Sequence, residues 1–292
     1  MKYALMKSLK EEFPLGLMSR MLGVSRSGYY AWLIRPLSRR AQEDACLEVA
    51  IQAAHRRTRG IYGRERMQAE LKADGFSVGV GRVRRLRRTL GLWCGQKRKF
   101  KATTNSNHGL PVAENLLQQD FTTHRPHQVW VADITYIAAT QGWWYVAGIR
   151  DLHTGEVVGH AQGERMTQAL VIRALEGAVK HHCPKPGLIH HSDRGSQYCG
   201  HAYQHLLKKF NMVCSMSRKG NCYDNAPMES FWGTLKTELV YRQPIQSWAQ
   251  INNNVTEYIE IFYNRQRRQA RLGYLAPAVF AQQWRQQHNA VA

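Results

Sequence analysis

The sequence predicts an α/β chain, a mixed five-stranded sheet with helices, preceded by small all-α, helix-turn-helix-like units. Three observations predict it. Runs of β-branched and aromatic residues interleave with helical periodicity in the middle of the chain. The first third shows helical periodicity without such runs. The charge is also segregated: residues 1–101 hold 23 Lys or Arg against 8 Asp or Glu, residues 263–292 hold five arginines and no acid, and the stretch between is formally neutral. Basic arms flanking a separate core are the expected organisation. A hydrophobic fraction of 43% over 292 residues suffices for a sizeable core, and 10% aromatic residues exclude disorder.

A net charge of +20 points to a polyanionic partner. No apolar run approaches the roughly 18–20 residues needed to span a bilayer. The opening "MKYALMKSLKEEF" is too charged for an export signal, so nucleic acid in a cytoplasm is the expectation and a membrane is not. The six cysteines form no C-x-x-C pair and read as reduced thiols. "HHC" at His181–Cys183 lacks a second ligand pair at finger-like spacing, which argues against zinc.

In the first unit, 1–38, "GLMSRMLGVSRSGYYAWL" gives a helix, a turn at Gly23, and a second helix capped by Ser25 and ended before Pro36. That pattern resembles a helix-turn-helix, with Arg26 at the start of the groove-facing helix. In the second unit, 39–96, Leu47, Ile51 and Ala54 share a face, "RGIYGRERMQAEL" is a further helix, and "GFSVGVGRVRRLRRTLGL" another. On this last one Val83, Leu86 and Leu90 fall on one side, with Arg84, Arg85 and Arg88 opposite. Residues 82–88 hold five arginines and no acid, so Arg82, Arg84, Arg85 and Arg88 are expected to meet DNA phosphates. Residues 97–126 form a linker rich in polar and turn residues.

The core, 127–242, begins with a three-strand meander: "QVWVADITYIAA", "WWYVAGIRDL" and "EVVGHAQ". A helix over 166–180, a strand "GLIHHSD", a helix over 201–210, a strand "MVCSMS" and an amphipathic helix over 226–241 follow. This order is ribonuclease-H-like. Asp133 lies inside the first strand, Asp193 closes the fourth, and Glu229 stands near the start of the last helix. A carboxylate among apolar residues needs a cation or a wet site. One answer is a salt bridge to an arginine. The other is a divalent cation, since three acids brought together repel unless neutralised, and hard oxygen ligands select Mg²⁺ or Mn²⁺.

"WVADITYI", "HSDRGSQY", "NCYDNAPMESFWGTLKTE" and "FYNRQRRQARLGYLAPAVF", in that order, resemble the catalytic subunit of bacterial insertion-sequence transposases, in the branch similar to retroviral integrases. Asp193 and Glu229 have 35 residues between them, the spacing of that superfamily's Asp-Asp-Glu triad, and Lys236 follows seven after the glutamate. The tail "QAR" departs from the family's usual Pro- or Ser-bearing stretch. The resemblance implies that Asp133, Asp193 and Glu229 are catalytic. They would hold two Mg²⁺ (or Mn²⁺) ions about 3.5–4 Å apart, with Asp133 bridging them. It further implies hydrolysis at the element's ends, direct transesterification into target DNA and, in this branch, a circular intermediate. Expected partners are double-stranded DNA (terminal inverted repeats and target), further copies of the chain as a homo-oligomer on DNA, and an upstream-frame partner or fusion. Lys236, on the Glu229 face, and Arg265, Arg267 and Arg268, in the basic helical tail 243–292, are expected DNA contacts. Two rival readings are a DNA-binding regulator with an inactive core and a ribonuclease acting on RNA–DNA hybrids.

Overall fold

A computed structural model describes residues 1–94, 111–218 and 221–289. The central strands are β1 (Val129–Ala139), β2 (Gly142–Asp151) and β3 (Val157–Gly163), joined as antiparallel neighbours. The β1–β2 reversal is tight enough to need Gly142, whose φ of 117° a side chain would resist. The β2–β3 turn is fixed by buried Asp151, which accepts from Thr154 N, Thr154 Oγ1 and His127 N at 2.7–2.9 Å. Helix α7 (Gln168–His182) then crosses over to β4 (Ile189–Ser192), parallel to β1. After α8 (Ser196–Cys199) and α9 (His201–Lys209), β5 (Val213–Met216) adds parallel to β4. The strand order is β3-β2-β1-β4-β5, the ribonuclease-H-like sheet that the sequence predicted.

Strand alternation gives the sheet two apolar faces. Trp130, Ala132, Ala147 and Ile149 pack against α7 and α9 through Leu170, Ala174, Tyr203 and Leu207. Val129, Val131 and Val146 face the other way, onto α10 (Ala226–Glu238), which brings Met228, Phe231, Trp232 and Leu235. This second core continues outward. It takes in Leu47, Ile51, Tyr62, Met67 and Leu86 from the helical unit and Ile251, Val255, Tyr258 and Phe262 from the C-terminal segment.

The N-terminal helices are α1 (Lys2–Ser8), α2 (Leu15–Leu22) and α3 (Arg26–Ile34). Gly23 takes the left-handed conformation at the end of α2, and Ser25 Oγ caps α3 by accepting from Gly28 N at 3.0 Å, as its sequence required. The second unit is α4 (Arg39–Arg57), α5 (Arg64–Ala73) and α6 (Val80–Thr89), with Leu47, Ile51, Ala54, Val83 and Leu86 buried between them. Of the expected linker, 97–126, residues 97–110 lie outside the described residues, and the described part is held to the core through Asn115 and the buried Leu117.

The segment expected as a basic helical tail, 243–292, is largely helical where it is described and packs against the rest of the chain. Helix α11 (Trp248–Glu257) is capped by a reciprocal Ser247–Gln250 box and runs into a π-helical segment, Tyr258–Gln266. Both are pinned to the core and to the helical unit, and α12 (Pro277–Asn289) follows. Tyr62 Oη donates to Gln266 O at 3.1 Å and accepts from Arg268 N at 2.7 Å, while Arg59 Nη2 pairs with Glu257 at 2.5 Å. The apolar side chains of "YIEIFY" override the basic composition, which carried no information about where those residues pack.

Candidate active site

Asp133 sits at the centre of β1, on the face covered by α10. Its Cα partner on β2 is Gly148, and only a glycine fits there: a Cβ would lie 2.7 Å from Trp232 Cη2. The Trp232 ring therefore lies across β2, and its Nε1 donates to Asp133 Oδ2 at 3.1 Å. The backbone N–H of Ile134 also donates to this carboxylate. The pairing is thus with an indole and an amide, rather than the arginine bridge that the sequence also allowed. Burial first, then the charges of Asp193 and Glu229, raise the proton affinity of Asp133 well above the usual carboxylate range.

Asp193 leaves the end of β4 into a turn, where its Oδ1 accepts from Gly195 N at 2.9 Å. The strand beneath is polar yet buried. His191 Nδ1 lies 2.8 Å from Ser215 Oγ and its Nε2 3.2 Å from Ser217 Oγ, and His190 Nε2 lies 3.0 Å from Tyr203 Oη. Burial drives the histidines down to about 3 (His190) and about 4 (His191), so both are neutral spacers under the turn. Arg194 Nε donates to Ser217 O at 2.6 Å, tying the turn to the end of β5.

Glu229 stands exposed in the first turn of α10, where the helix N-terminus favours an anion. The start of this helix is held by residues that the sequence reading passed over. Asp224, fully buried, accepts from Arg218 Nη2 at 2.9 Å, Arg218 N at 2.7 Å, Asn115 Nδ2 at 3.0 Å and Gln119 Nε2 at 3.0 Å. These donors hold its carboxyl well below the usual range. Asn225 Nδ2 donates to Ala132 O on β1 at 3.0 Å, and Arg150 Nη1 to Pro227 O at 2.9 Å. The signal was present in "NCYDNAPMES": two polar residues before a helix-initiating Pro mark a built N-terminus.

The three acids thus come from β1, the end of β4 and the start of α10, and the charges of Asp193 and Glu229 both act on Asp133. Among the described residues no three acidic, His or Cys groups close to chelating distance. The donors are carboxylate oxygens alone, a set that in kind fits Mg²⁺ or Mn²⁺ and not zinc.

The expected DNA contacts divide. Lys236 is 4% exposed; its Nζ lies 5.0 Å over the Tyr136 ring, and burial lowers its ammonium to about 8. It is a buried neighbour of β1, at the wall of an apolar cavity of about 350 Å³, and not a surface lysine. Arg82 and Arg85 have acid partners within the fold. Their acids come from α4: Asp44 accepts from Arg82 Nε at 2.7 Å and Arg85 Nη2 at 2.6 Å, and Glu43 joins Arg82 at 3.2 Å. Arg267 is buried against Glu238 at 2.7 Å, and Arg268 pairs with Glu70 at 2.5 Å. Arg26, Arg84, Arg88 and Arg265 are exposed, as a phosphate contact requires.

An integrase core domain family model matches residues 123–222 and again 229–285, so the first match holds Asp133 and Asp193 and the second opens at Glu229. An HTH-like domain model matches residues 41–100, over α4–α6 and not the α2–α3 pair. A 31 kDa protein of insertion element IS600 from Shigella sonnei is 54% identical over 92% of this chain and 99% of its own length. The transposase InsF of insertion sequence IS3A from Escherichia coli is 40% identical over 96% of this chain and 98% of its own. Among solved structures, an intasome of simian T-cell lymphotropic virus aligns at 17% identity and a TM-score of 0.47. It covers 73% of this chain and 70% of that one.

Proposed function

The chain belongs to the insertion-sequence transposases that carry an integrase core, and we propose that it cuts DNA at the ends of its element and joins them to target DNA by direct transesterification. The observation that carries this reading is the electrostatic meeting of Asp133, Asp193 and Glu229 from three elements, one of them half-buried beneath Trp232. Acids so placed destabilise each other unless a cation sits among them. The side chains that would hold Mg²⁺ or Mn²⁺ are Asp133, Asp193 and Glu229. When bound, such ions lower the pKa of a water or 3′-hydroxyl and neutralise charge on the phosphate under attack.

The protein's own part is positioning. Trp232 and the Ile134 amide fix the Asp133 carboxylate, and the Gly195 amide fixes that of Asp193. The Asp224–Arg218 clamp sets where α10 begins and so where Glu229 stands. No side chain need act as a nucleophile, because the attacking oxygen comes from water or from a DNA 3′ end. The exposed Arg84 and Arg88 would hold phosphates away from the reacting one.

Asp133→Asn, Asp193→Asn and Glu229→Gln, each nearly isosteric, should abolish metal-dependent nicking and strand transfer on a duplex bearing the element's end. DNA affinity should stay close to that of the parent. Loss of an outer supporting group alone costs about 10–100-fold, so a variant retaining more than about a tenth of the activity would remove that residue from the site.

A further inference from the structure

Arginines without an acid partner are not confined to the exposed ones that the sequence singled out. Arg66, on α5, is half-buried; its guanidinium lies 5.9 Å over the Tyr62 ring, and no acid lies within ion-pair distance among the described residues. Arg242, just beyond α10, spends Nη1 on the carbonyl of Arg59 at 2.8 Å. Its Nη2 reaches the Gly60 turn beside His55 Nε2. Arg87, on α6, is 7% exposed, and its Nε has no hydrogen-bond partner. Burial, then Arg87 and Arg242, lower the pKa of His55 between them. The one acid nearby, Glu238, is already used: it accepts from Arg267 Nε at 2.8 Å, Arg267 Nη2 at 2.7 Å and Tyr258 Oη at 2.7 Å.

Arg66 and Arg242, with Thr234, Thr237 and the Glu238–Arg267 pair, line a cavity of about 150 Å³. Its place is the seam between the helical unit and α10, the helix that begins with Glu229. Arg66 is half-buried without a counter-charge, which is costly and which an anion would relieve, while Arg242 is exposed and open to a ligand. Arginine forks bind phosphate oxygens in bidentate fashion. The cavity exceeds the ~30 Å³ share of one liquid water.

We infer that this seam seats one backbone phosphate of the bound DNA, gripped by Arg66 and Arg242. The duplex held by the helical unit is thereby indexed to the helix that carries Glu229. The inference rests on the reading that this chain acts on DNA.

The test uses the full-length chain, a duplex carrying the element's end, and affinity measured over a salt series. A seated phosphate contributes about 0.9 to the log–log slope. Arg66→Gln with Arg242→Gln should flatten the slope by about one unit. Arg66→Lys with Arg242→Lys, which keeps the charge, should restore most of it. Without DNA the Gln variant should melt only slightly below the parent, because it loses the Arg242–Arg59 hydrogen bond and the Arg66–Tyr62 contact but no ion pair. In the second arm, inorganic phosphate at tens of millimolar is added to the DNA-free protein. If phosphate raises the parent's Tm while the slope is the same in parent and Gln variant, the seam holds free phosphate and the inference is overturned. An unchanged slope without that Tm rise overturns it equally. A parent that neither binds nor nicks the duplex would instead overturn the proposed function.

Discussion

Asp224 shows what a single carboxylate does here without touching the chemistry. It gathers donors from Arg218, Asn115 and Gln119, and the segment that it anchors leads directly into the first turn of α10. Since these donors depress its folded-state pKa, its stabilisation is full above the unfolded value of about 3.9 and fades as pH falls toward the folded one. Asp224→Asn should therefore cost about 1–3 kcal/mol at pH 7, toward the low end because Arg218 is half-exposed and screened. Urea unfolding at pH 7 and pH 3 should show the deficit shrinking at the lower pH. Equal stability of the two proteins at pH 7 would refute the clamp. The three metal-ligand candidates were legible in the sequence because acids in apolar surroundings are conspicuous. Asp224 was not, since nothing in "CYDNA" says that two of its partners, Asn115 and Gln119, lie more than a hundred residues upstream.

Among the elements, the packing of α10 on β2 bears most directly on the site. Gly148 leaves room for the Trp232 ring, and that ring supplies the hydrogen bond to Asp133. A methyl group at this position must push the indole aside, because Trp232 Cη2 would lie 2.7 Å from it. Gly148→Ala should lower the turnover of strand cleavage by about 10–100-fold, the range for outer supporting groups, with DNA affinity preserved. Cleavage at the parental rate by a folded Gly148→Ala protein would mean that Trp232 does not position Asp133. Runs of β-branched and aromatic residues had given β1, β2 and β3, and the amphipathic pattern over 226–241 had given α10. The same pattern put Lys236 with Glu229, which is true of the helix but not of solvent access. The exposed face ends where Tyr136 covers Lys236. Likewise α6 carries a basic stripe, but the acids answering Arg82 and Arg85 stand on α4. Local periodicity reports a face; only the tertiary fold says what meets it.

Across the whole molecule, the C-terminal segment is part of the packed structure. Arg267 and Glu238 are both nearly buried, so removing one leaves the other uncompensated. Arg267→Met should cost about 3–5 kcal/mol. Arg267→Met with Glu238→Gln should recover much of that, because Tyr258 keeps an acceptor. If chemical unfolding were unchanged in the single variant while DNA affinity dropped, Arg267 would return to the DNA surface. Net charge had identified the polyanionic partner, but the placement of individual arginines depends on contacts nearly two hundred residues apart. Those contacts also set an order of events during synthesis. Tyr62 is completed by Gln266 and Arg268, and the second core draws on Leu47 at one end and Tyr263 at the other. A ribosome adding about 5–20 residues per second needs on the order of ten seconds or more to travel between them. Throughout that interval the emerging helical unit carries an apolar flank that its final partners have yet to cover.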